Sequence, residues 1–224
     1  MEFRDVLALR YRKPLLNGLA FCDGCGAPFD LSHALSCKKG GLIIQRHNEI
    51  RDAVGDLADT VWTQVQREPI VRQANDSESI PALIADLGVR GVWEPQTLAL
   101  FDIRVIDTDA PSHLLRAPES ILASAETKKK KKYQTACAER RATFTPFVTS
   151  CDGALGLEAK CFIKHLAQRL SGKWERQYTK VVGWIRTRLA FAILRTTNQC
   201  IHGARIKRRS LGMEDGAPIR MVLN

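Results

Sequence analysis

The chain has 224 residues, of which 45% are hydrophobic, and 34 lysines and arginines against 24 acidic residues give a net charge of +10. This length suits one large domain, or one medium domain with a small appendage. No stretch approaches the roughly 18 consecutive apolar residues that span a bilayer, and the first residues lack the apolar segment of a signal peptide. We expect an intracellular protein with no membrane partner, whose seven cysteines are reduced thiols or metal ligands.

Both ends of the chain are predicted to lie outside the core. Residues 1–20 are basic, lack a clear apolar face and contain Pro14, so we expect a linker. Residues 206–224 are basic and then polar, which predicts a mobile tail. Between these ends we predict a zinc knuckle over residues 21–41 and a second domain over residues 45–205.

The most specific motif is the segment FCDGCGAPFDLSHALSCKKGG. Its four candidate ligands, spaced Cys-x2-Cys-x7-His-x3-Cys, are Cys22, Cys25, His33 and Cys37. His33 and Cys37 would share one face of a short helix, for which Asp30 or Ser32 could be the cap. Four such ligands with nothing left over predict a closed, tetrahedral structural Zn²⁺ site. The alternative is four unrelated residues in a loop.

An amphipathic helix is predicted over Gln45–Val65, because its apolar residues recur at helical spacing. Glu49 lies on its first turns, immediately before the apolar stripe. It is either a solvated surface acid or a functional carboxylate. The segment EPIVRQ, residues 68–73, predicts a short strand after this helix.

Two apolar, β-prone runs between Leu83 and Val105 predict a buried hairpin. Each strand carries one aspartate, Asp86 in the first and Asp102 in the second. An ionised carboxylate among apolar residues is costly unless it is paired or coordinates a metal. The two aspartates therefore predict a divalent-cation site. The alternative is that both lie on the solvated face of an edge strand.

The remainder of the core is predicted to be helical apart from one strand. A helix over Glu119–Arg141 contains the run Lys128 to Lys132, and FTPFV, residues 144–148, forms a strand. Two further helices begin near Glu158 and Glu175. The lysine run is compatible with a functional site, with a solvated helix face, and with a nuclear import patch.

Positive charge is concentrated in the two final helices. Between Lys160 and Arg209 the one acidic residue is Glu175. Such a surface attracts a polyanion, with nucleic acid as the first candidate, an anionic membrane surface as the second, and a merely solvated face as the alternative. The expected nucleic-acid contacts in these helices are Lys173, Arg176, Arg186, Arg188 and Arg195.

The order helix, three strands, helix, strand resembles the core of restriction-type nucleases of the PD-(D/E)XK class, an α/β fold with mixed α+β character. In that class metal carboxylates lie on the second and third strands, with a lysine nearby and often a glutamate on the first helix. Asp86, Asp102 and Glu49 match those positions. The chain departs from the class at Arg104, where lysine is usual, and at Ala85, where proline often precedes the first aspartate.

The chain is more closely similar to the C-terminal region of non-LTR retrotransposon proteins that carry a restriction-like endonuclease. There a Cys-Cys-His-Cys zinc knuckle directly precedes the nuclease. The resemblance spans Phe21 to Arg205 and is carried by HALSCKKGG, RHNEIRD, FDIRV, KKKKKY, FTPFV, KWERQYTKVVGWIRTRLAFAILR and QCIHGAR. It implies that the catalytic lysine lies on the helix after the third strand, at Lys129 or Lys130 ahead of Tyr133.

The resemblance implies hydrolysis of DNA with Mg²⁺ or Mn²⁺ held by Asp86 and Asp102. Lys130 or Lys129 would orient water and stabilise charge on the phosphate. Glu49 would assist at the metal, and Arg104 would contact phosphate.

We therefore expect a nuclear, DNA-nicking endonuclease that also meets the RNA of its element. No polymerase signature is present, so we expect a truncated element copy or a separate C-terminal piece. One alternative is a zinc-containing nucleic-acid-binding module whose nuclease is inactive. Another is a zinc-containing protein-interaction domain, which would have no salt-sensitive affinity for DNA.

Overall fold

Helices and strands follow one another along the chain much as the sequence predicts. The computed structural model describes residues 4, 5, 8, 11, 20–74 and 81–206. The helices are α1 (Leu31–Ser36), α2 (Leu42–Asp59), α3 (Pro118–Glu139), α4 (Leu157–Trp174) and α5 (Tyr178–His202). The strands are β1 (Val65–Arg67), β2 (Ile70–Arg72), β3 (Leu83–Ile84), β4 (Leu87–Arg90), β5 (Leu98–Ile106) and β6 (Thr143–Ser150).

Four strands form a mixed sheet in the order β1-β4-β5-β6. The β1–β4 and β4–β5 pairs are antiparallel, and β5 and β6 are parallel. Parallel neighbours need a crossover connection, which α3 supplies. Strands β2 and β3 form a separate antiparallel pair. The predicted mixed α/β class is therefore confirmed.

Helices cover both faces of this sheet. On one face, α2, α4 and α5 pack against β4, β5 and β6 in the main core. The largest fully buried side chains of that core include Phe101, Phe147, Phe162, Ile50, Leu166 and Ile185. On the other face, Tyr133 and Ala136 of α3 pack with Leu83 and Leu100. Burying one large apolar side chain contributes roughly 1.5–3 kcal/mol, so these two interfaces hold the layers together.

The alternation of side chains along β5 decides where Asp102 faces. Phe101 and Ile103 lie in the main core, whereas Leu100 packs against Tyr133 on the opposite face. Successive side chains of a strand point to opposite faces. Asp102 therefore shares the face of Leu100 and lies beneath α3, where it is 5% exposed.

Helix α2 ends earlier than predicted. It spans Leu42–Asp59, whereas the apolar periodicity predicted Gln45–Val65. The hydroxyl of Thr60 bonds a carbonyl of the last turn at 2.6 Å, and Trp62 turns into the main core. Val65 is consequently the first residue of β1. The periodicity continued past the helix because the chain after it packs against the same core.

Each of the two segments that precede β5 is divided by a bend, whereas the sequence predicted a strand at residues 68–73, after a helix ending at Val65, and one continuous strand from Leu83. Residues 65–72 form β1 and β2, separated at Glu68, whose φ of 54° lies in the left-handed region. Residues 83–90 form β3 and β4, separated at Asp86. The bends meet, because the Glu68 N–H donates to the Asp86 carbonyl at 2.9 Å.

The predicted linker and tail lie largely outside the described residues. Asp5 belongs to the described part and lies 2.9 Å from Nε2 of His202 at the end of α5. Residues 207–224 are not described. Across the described ranges, no helix combines the length and apolar character needed to cross a membrane.

Candidate functional sites

Residues 21–37 form a tight loop and the short helix α1. The Cys22 carbonyl accepts from the Gly26 N–H at 2.9 Å, and Gly26 has a φ of 73°, a conformation that favours glycine. Asp30 is the helix cap, since its Oδ1 accepts from the His33 N–H at 2.6 Å. This local geometry turns the predicted ligands toward one another.

The distances within this cysteine–histidine cluster, which consists of Cys22, Cys25, His33 and Cys37, suit one tetrahedral zinc ion. All four ligand atoms lie within 4.8 Å of one another. Sγ of Cys37 is 3.9 Å from Sγ of Cys22 and 4.0 Å from Sγ of Cys25, and the latter is 3.3 Å from Nε2 of His33. Usual zinc bond lengths in a tetrahedron separate two sulfurs by about 3.8 Å and a sulfur from a nitrogen by about 3.6 Å. The cluster is thus compatible with a zinc knuckle.

The surroundings of Cys22 favour its thiolate. Burial opposes the charge, but hydrogen bonds from the Gly24 N–H, His33 and Cys25 lower the pKa of Cys22 to about 6. Zinc binds cysteine as the thiolate. The ligand is therefore prepared for a cation near neutral pH.

The cluster is joined to the end of α5. Leu35 of α1 packs against Cys200 and Ile201 in a small buried group. Gly40 has a φ of 74°, and a Cβ at this position would lie 2.5 Å from Cα of Arg205. The C-terminal segment therefore passes so close to the knuckle that a side chain at this glycine would collide with its backbone.

Arg205 fastens this contact and is 4% exposed. Its backbone N–H donates to Oδ2 of Asp23 at 2.7 Å. Its guanidinium donates to the carbonyls of Ala34 (3.1 Å) and Cys200. The guanidinium carbon also lies 4.9 Å from the centre of the Phe29 ring. The backbone and side chain of Arg205 together connect the knuckle loop, α1 and the end of α5.

A second buried arginine supports α1 from the other side. Arg46 of α2 donates to the Leu35 carbonyl at 3.2 Å and to Sγ of Cys151 at 3.4 Å. Burial raises the pKa of Cys151 to about 12, so this thiol stays neutral and acts as a core group.

Asp86 lies at the bend between β3 and β4. Its Oδ2 accepts from the Ile103 N–H, and its Oδ1 lies 2.9 Å from Nε2 of His47 on α2. Its own N–H donates to the Phe101 carbonyl at 2.9 Å. The Asp86 carboxylate is thereby held against β5, beside the residue that follows Asp102.

Asp102 contacts two side chains of α3. Its Oδ2 forms an ion pair with Nζ of Lys129. The hydroxyl of Tyr133 lies 2.8 Å from Oδ1 of Asp102 and 2.7 Å from the Ile84 carbonyl. Burial, followed by the charges of Asp102 and Asp86, raises the pKa of Tyr133. The hydroxyl therefore remains protonated and lies within electrostatic reach of both aspartates. We call this group the aspartate pocket, made of His47, Asp86, Asp102, Lys129 and Tyr133.

The two lysines between which the sequence did not choose occupy different places. Lys129 meets Asp102, whereas Lys130 forms an ion pair with Glu158 in the first turn of α4. Adjacent helical residues point about 100° apart, so one helix sends them to different partners. A catalytic role for either lysine stays a prediction, but the geometry brings Lys129 to the aspartates.

Glu49 faces α5 and not the aspartate pocket. Its Oε2 lies 2.6 Å from Nη2 of Arg195, and its Oε1 accepts from Gln45 at 3.0 Å. Residues two apart on a helix point in nearly opposite directions, so His47 reaches Asp86 while Glu49 does not follow it. The α2 side chain that contacts Asp86 is His47, and the predicted role of Glu49 at a metal stays a prediction.

A cleft of about 680 Å³ lies beside Glu49, between α2 and α5. Its α2 wall carries Asp52 and Asp56, and its α5 wall carries Arg188 and Arg195. Acidic and basic side chains therefore face each other across this cleft.

The side chains predicted to contact nucleic acid are all exposed, namely Arg104, Lys173, Arg176, Arg186, Arg188 and Arg195. Some of them also have partners within the chain. Lys173 donates to the Thr60 carbonyl at 2.7 Å, and the guanidinium carbon of Arg188 lies 5.2 Å from the centre of the Trp184 ring. Contact with nucleic acid remains a prediction for the whole set.

Sequence reasoning missed His47 and Arg205 as site residues and used Tyr133 only to locate a lysine. The spacing of Lys129 and Tyr133, four residues apart on one helix face, is a signal that could have identified the tyrosine. His47 and Arg205 carried no such signal, because their partners are distant in the chain.

The chain matches none of the protein-family models and none of the curated proteins.

Proposed function

We propose that this chain is a metal-dependent DNA endonuclease of the PD-(D/E)XK type, which nicks target DNA as part of a non-LTR retrotransposon protein. The observation that carries the proposal is that Lys129 forms an ion pair with Asp102, while the Tyr133 hydroxyl bonds Asp102 and lies within electrostatic reach of Asp86. Two carboxylates and a lysine around a phosphate are the groups that phosphodiester hydrolysis with a divalent cation uses. The element order and the resemblance of FDIRV and KKKKKY to the family's blocks support the same proposal.

The pocket suits a hard cation such as Mg²⁺ or Mn²⁺. Carboxylate oxygens are the ligands these ions prefer. Each aspartate has one oxygen held by a hydrogen-bond donor, the Ile103 N–H or the Tyr133 hydroxyl, and the other oxygen facing a basic side chain. The second oxygen of Asp86 therefore faces the His47 ring, and that of Asp102 faces the Lys129 ammonium group. When bound, the cation would polarise the phosphate and activate a water molecule.

The protein side chains would position the remaining charges. Tyr133 holds the Asp102 carboxylate in one orientation from within the core. Lys129 carries its ammonium group beside the same carboxylate and would stabilise negative charge that develops on a phosphate there. Arg104, exposed two residues beyond Asp102, would bind a neighbouring phosphate.

The cysteine–histidine cluster and the overall charge complete the proposal. Zn²⁺ at Cys22, Cys25, His33 and Cys37 would be structural, because all four positions are taken by the protein. The net charge of +10 suits DNA and the RNA of the element as partners, and the run Lys128 to Lys132 suits import into the nucleus.

Nicking of supercoiled plasmid in Mg²⁺ or Mn²⁺ tests the aspartates. We expect Asp86→Ala and Asp102→Ala each to lower the nicking rate by about 10²-fold or more, since a metal-bound transition state loses several kcal/mol. Nicking that persists at the wild-type rate in both variants would contradict the assignment.

Lys129→Met and Lys130→Met form a matched pair that tests the lysine. Both remove the same charge from neighbouring positions of one helix. We expect the rate to fall by about 10²-fold in Lys129→Met and to stay near wild type in Lys130→Met. Equal losses in the two variants would show that general charge, and not contact with Asp102, is what matters.

A second candidate function is a nucleic-acid-binding module with an inactive nuclease. The observation that favours it is that both carboxylates already contact basic side chains of the chain, His47 and Lys129. Such a module would bind DNA with the steep salt dependence of phosphate contacts and would nick nothing at any Mg²⁺ concentration.

A further inference from the structure

The turn between α4 and α5 exposes aromatic side chains. Every residue from Gly172 to Lys180 is exposed. Trp174 at the end of α4 is 39% exposed, and Tyr178 at the start of α5 is 38% exposed. Two large rings so close in the chain form a local apolar surface, a feature that often marks a binding site.

The Trp174 ring packs against a second tryptophan, Trp184. The ring centres of Trp174 and Trp184 are 5.0 Å apart with an interplanar angle of 72°, and Trp184 packs against the main core. The guanidinium carbon of Arg188 lies 5.2 Å from the centre of the Trp184 ring. Lys173 is anchored to the Thr60 carbonyl beside them. The Trp174 ring is therefore held in place before any ligand arrives, which lowers the entropic cost of binding. We call the residues Gly172 to Lys180, with Trp184 and Arg188, the aromatic corner.

The charge of the aromatic corner is almost wholly positive. Arg176 and Lys180 flank Tyr178 in the chain, and Glu175 is the one acidic residue from Lys160 to Arg205. A ligand of this surface must therefore be anionic and must also offer flat faces to the rings.

A single nucleic-acid strand meets both requirements. Its phosphates are anionic, and its bases have free faces that stack on aromatic side chains. In a duplex the base faces are covered by neighbouring base pairs, so an exposed indole gains little from it. An acidic protein surface would satisfy the cations but would not use the rings in this way.

We propose that the aromatic corner binds single-stranded nucleic acid, with bases stacked on Trp174 and Tyr178 and phosphates held by Arg176 and Lys180. This binding does not depend on cleavage at the aspartate pocket. In a nicking enzyme it would hold a strand that has been separated from its partner.

Fluorescence anisotropy tests the proposal with labelled oligo-dT, oligo-rU and a DNA duplex, each about ten nucleotides long, with no magnesium added. We expect the double variant Trp174→Ala, Tyr178→Ala to bind both single strands at least about tenfold more weakly, because each stacked base is lost. Affinity for the duplex should change by less than about twofold, since phosphate contacts remain. Circular dichroism verifies that the variant is folded.

Two further variants make the test specific. Phe191→Ala removes an aromatic side chain that is 65% exposed on α5 but lies outside the aromatic corner, and we expect wild-type affinity. Trp174→Phe, Tyr178→Phe keeps flat rings, and we expect it to retain most of the single-strand affinity. Equal affinity for oligo-dT and oligo-rU would show that the protein recognises bases and phosphates and not the sugar. A higher affinity for one of them would show whether the natural ligand is DNA or RNA.

Several outcomes would overturn the proposal. The first is that wild-type protein does not bind the single-stranded oligonucleotides. The second is that the double variant keeps its single-strand affinity or loses as much affinity for the duplex. The third is that Phe191→Ala loses as much single-strand affinity as the double variant. Asp86→Ala should bind single strands like wild type. If Asp86→Ala binds single strands like wild type and also nicks plasmid at the wild-type rate, the endonuclease proposal fails and the proposal for the aromatic corner holds.

Discussion

The cysteine–histidine cluster and the aspartate pocket are both candidate metal sites, yet they are assembled in different ways. The cluster takes its four ligands from residues 22–37, a single loop and one short helix. The pocket collects side chains from α2, the bent strand, β5 and α3. The first site is a local structure, and the second exists only once the layers of the fold have packed.

The two sites also differ in how their charge is balanced. In the cluster, three thiols and the His33 ring lie next to one another, and these are the groups that bind Zn²⁺, so a cation is the natural partner. In the aspartate pocket, Lys129 and His47 already contact the carboxylates. We therefore expect the cluster to need its metal for stability and the pocket to keep its shape without one.

The largest effect should come from removing a zinc ligand. Cys37→Ser should lower the free energy of unfolding by more than about 4 kcal/mol, because the binding free energy of a structural zinc is also folding free energy. Zinc content by elemental analysis should fall from one per chain, and urea denaturation gives the stability. Cys161→Ser, at an exposed thiol outside the cluster, is the matched control and should change neither. Wild-type protein that contains no zinc would remove the basis of the comparison.

A smaller effect should come from releasing the cluster from the end of α5. Arg205→Ala should cost about 2–3 kcal/mol, since buried carbonyls of Ala34 and Cys200 lose a charged donor. We also expect zinc to pass to a chromogenic chelator several times faster, because the C-terminal segment no longer covers the knuckle. Arg186→Ala, which removes an exposed guanidinium from the N-terminal half of α5, away from the knuckle, should leave both quantities unchanged. Equal transfer rates in the two variants would mean that the cluster is independent of α5.

The smallest effect should come from the aspartate pocket. Tyr133→Phe should lower stability by about 1–2 kcal/mol, because the single hydroxyl hydrogen that Asp102 and the Ile84 carbonyl share is removed. Thermal denaturation measures the change, and zinc content should remain at the wild-type value. Tyr178→Phe removes an exposed hydroxyl and should be neutral. A loss of zinc in Tyr133→Phe would show that the two sites are coupled and that the comparison is wrong.

Much of the fold could be predicted from patterns along the chain. Helical periodicity identified α2, α4 and α5, and the run after Glu119 gave α3 to within about two residues. The end of α2 was placed too late because Val61 and Val65 continue its apolar spacing. The bends at Glu68 and Asp86 were missed, since a left-handed residue and a break in strand pairing follow from contacts between strands and not from the residues themselves.

The candidate sites divide in the same way. Spacing alone identified the four residues of the cluster and left Asp30 or Ser32 as the cap, which the structure resolves to Asp30. Apolar surroundings singled out Asp86 and Asp102. Which lysine pairs with Asp102 and which α2 side chain contacts Asp86 depended on the rotation of α3 and α2 about their axes.

The sequence by itself determined which local structures form and which side chains could bind a metal, because helical spacing, turn residues and cysteine spacing act over a few residues. The tertiary structure decided which side chains meet across the fold. It brought His47 to Asp86, Lys129 and Tyr133 to Asp102, and Arg205 to the knuckle. Those contacts depend on the packing of the layers and the rotation of each helix, which a pattern along one segment does not contain.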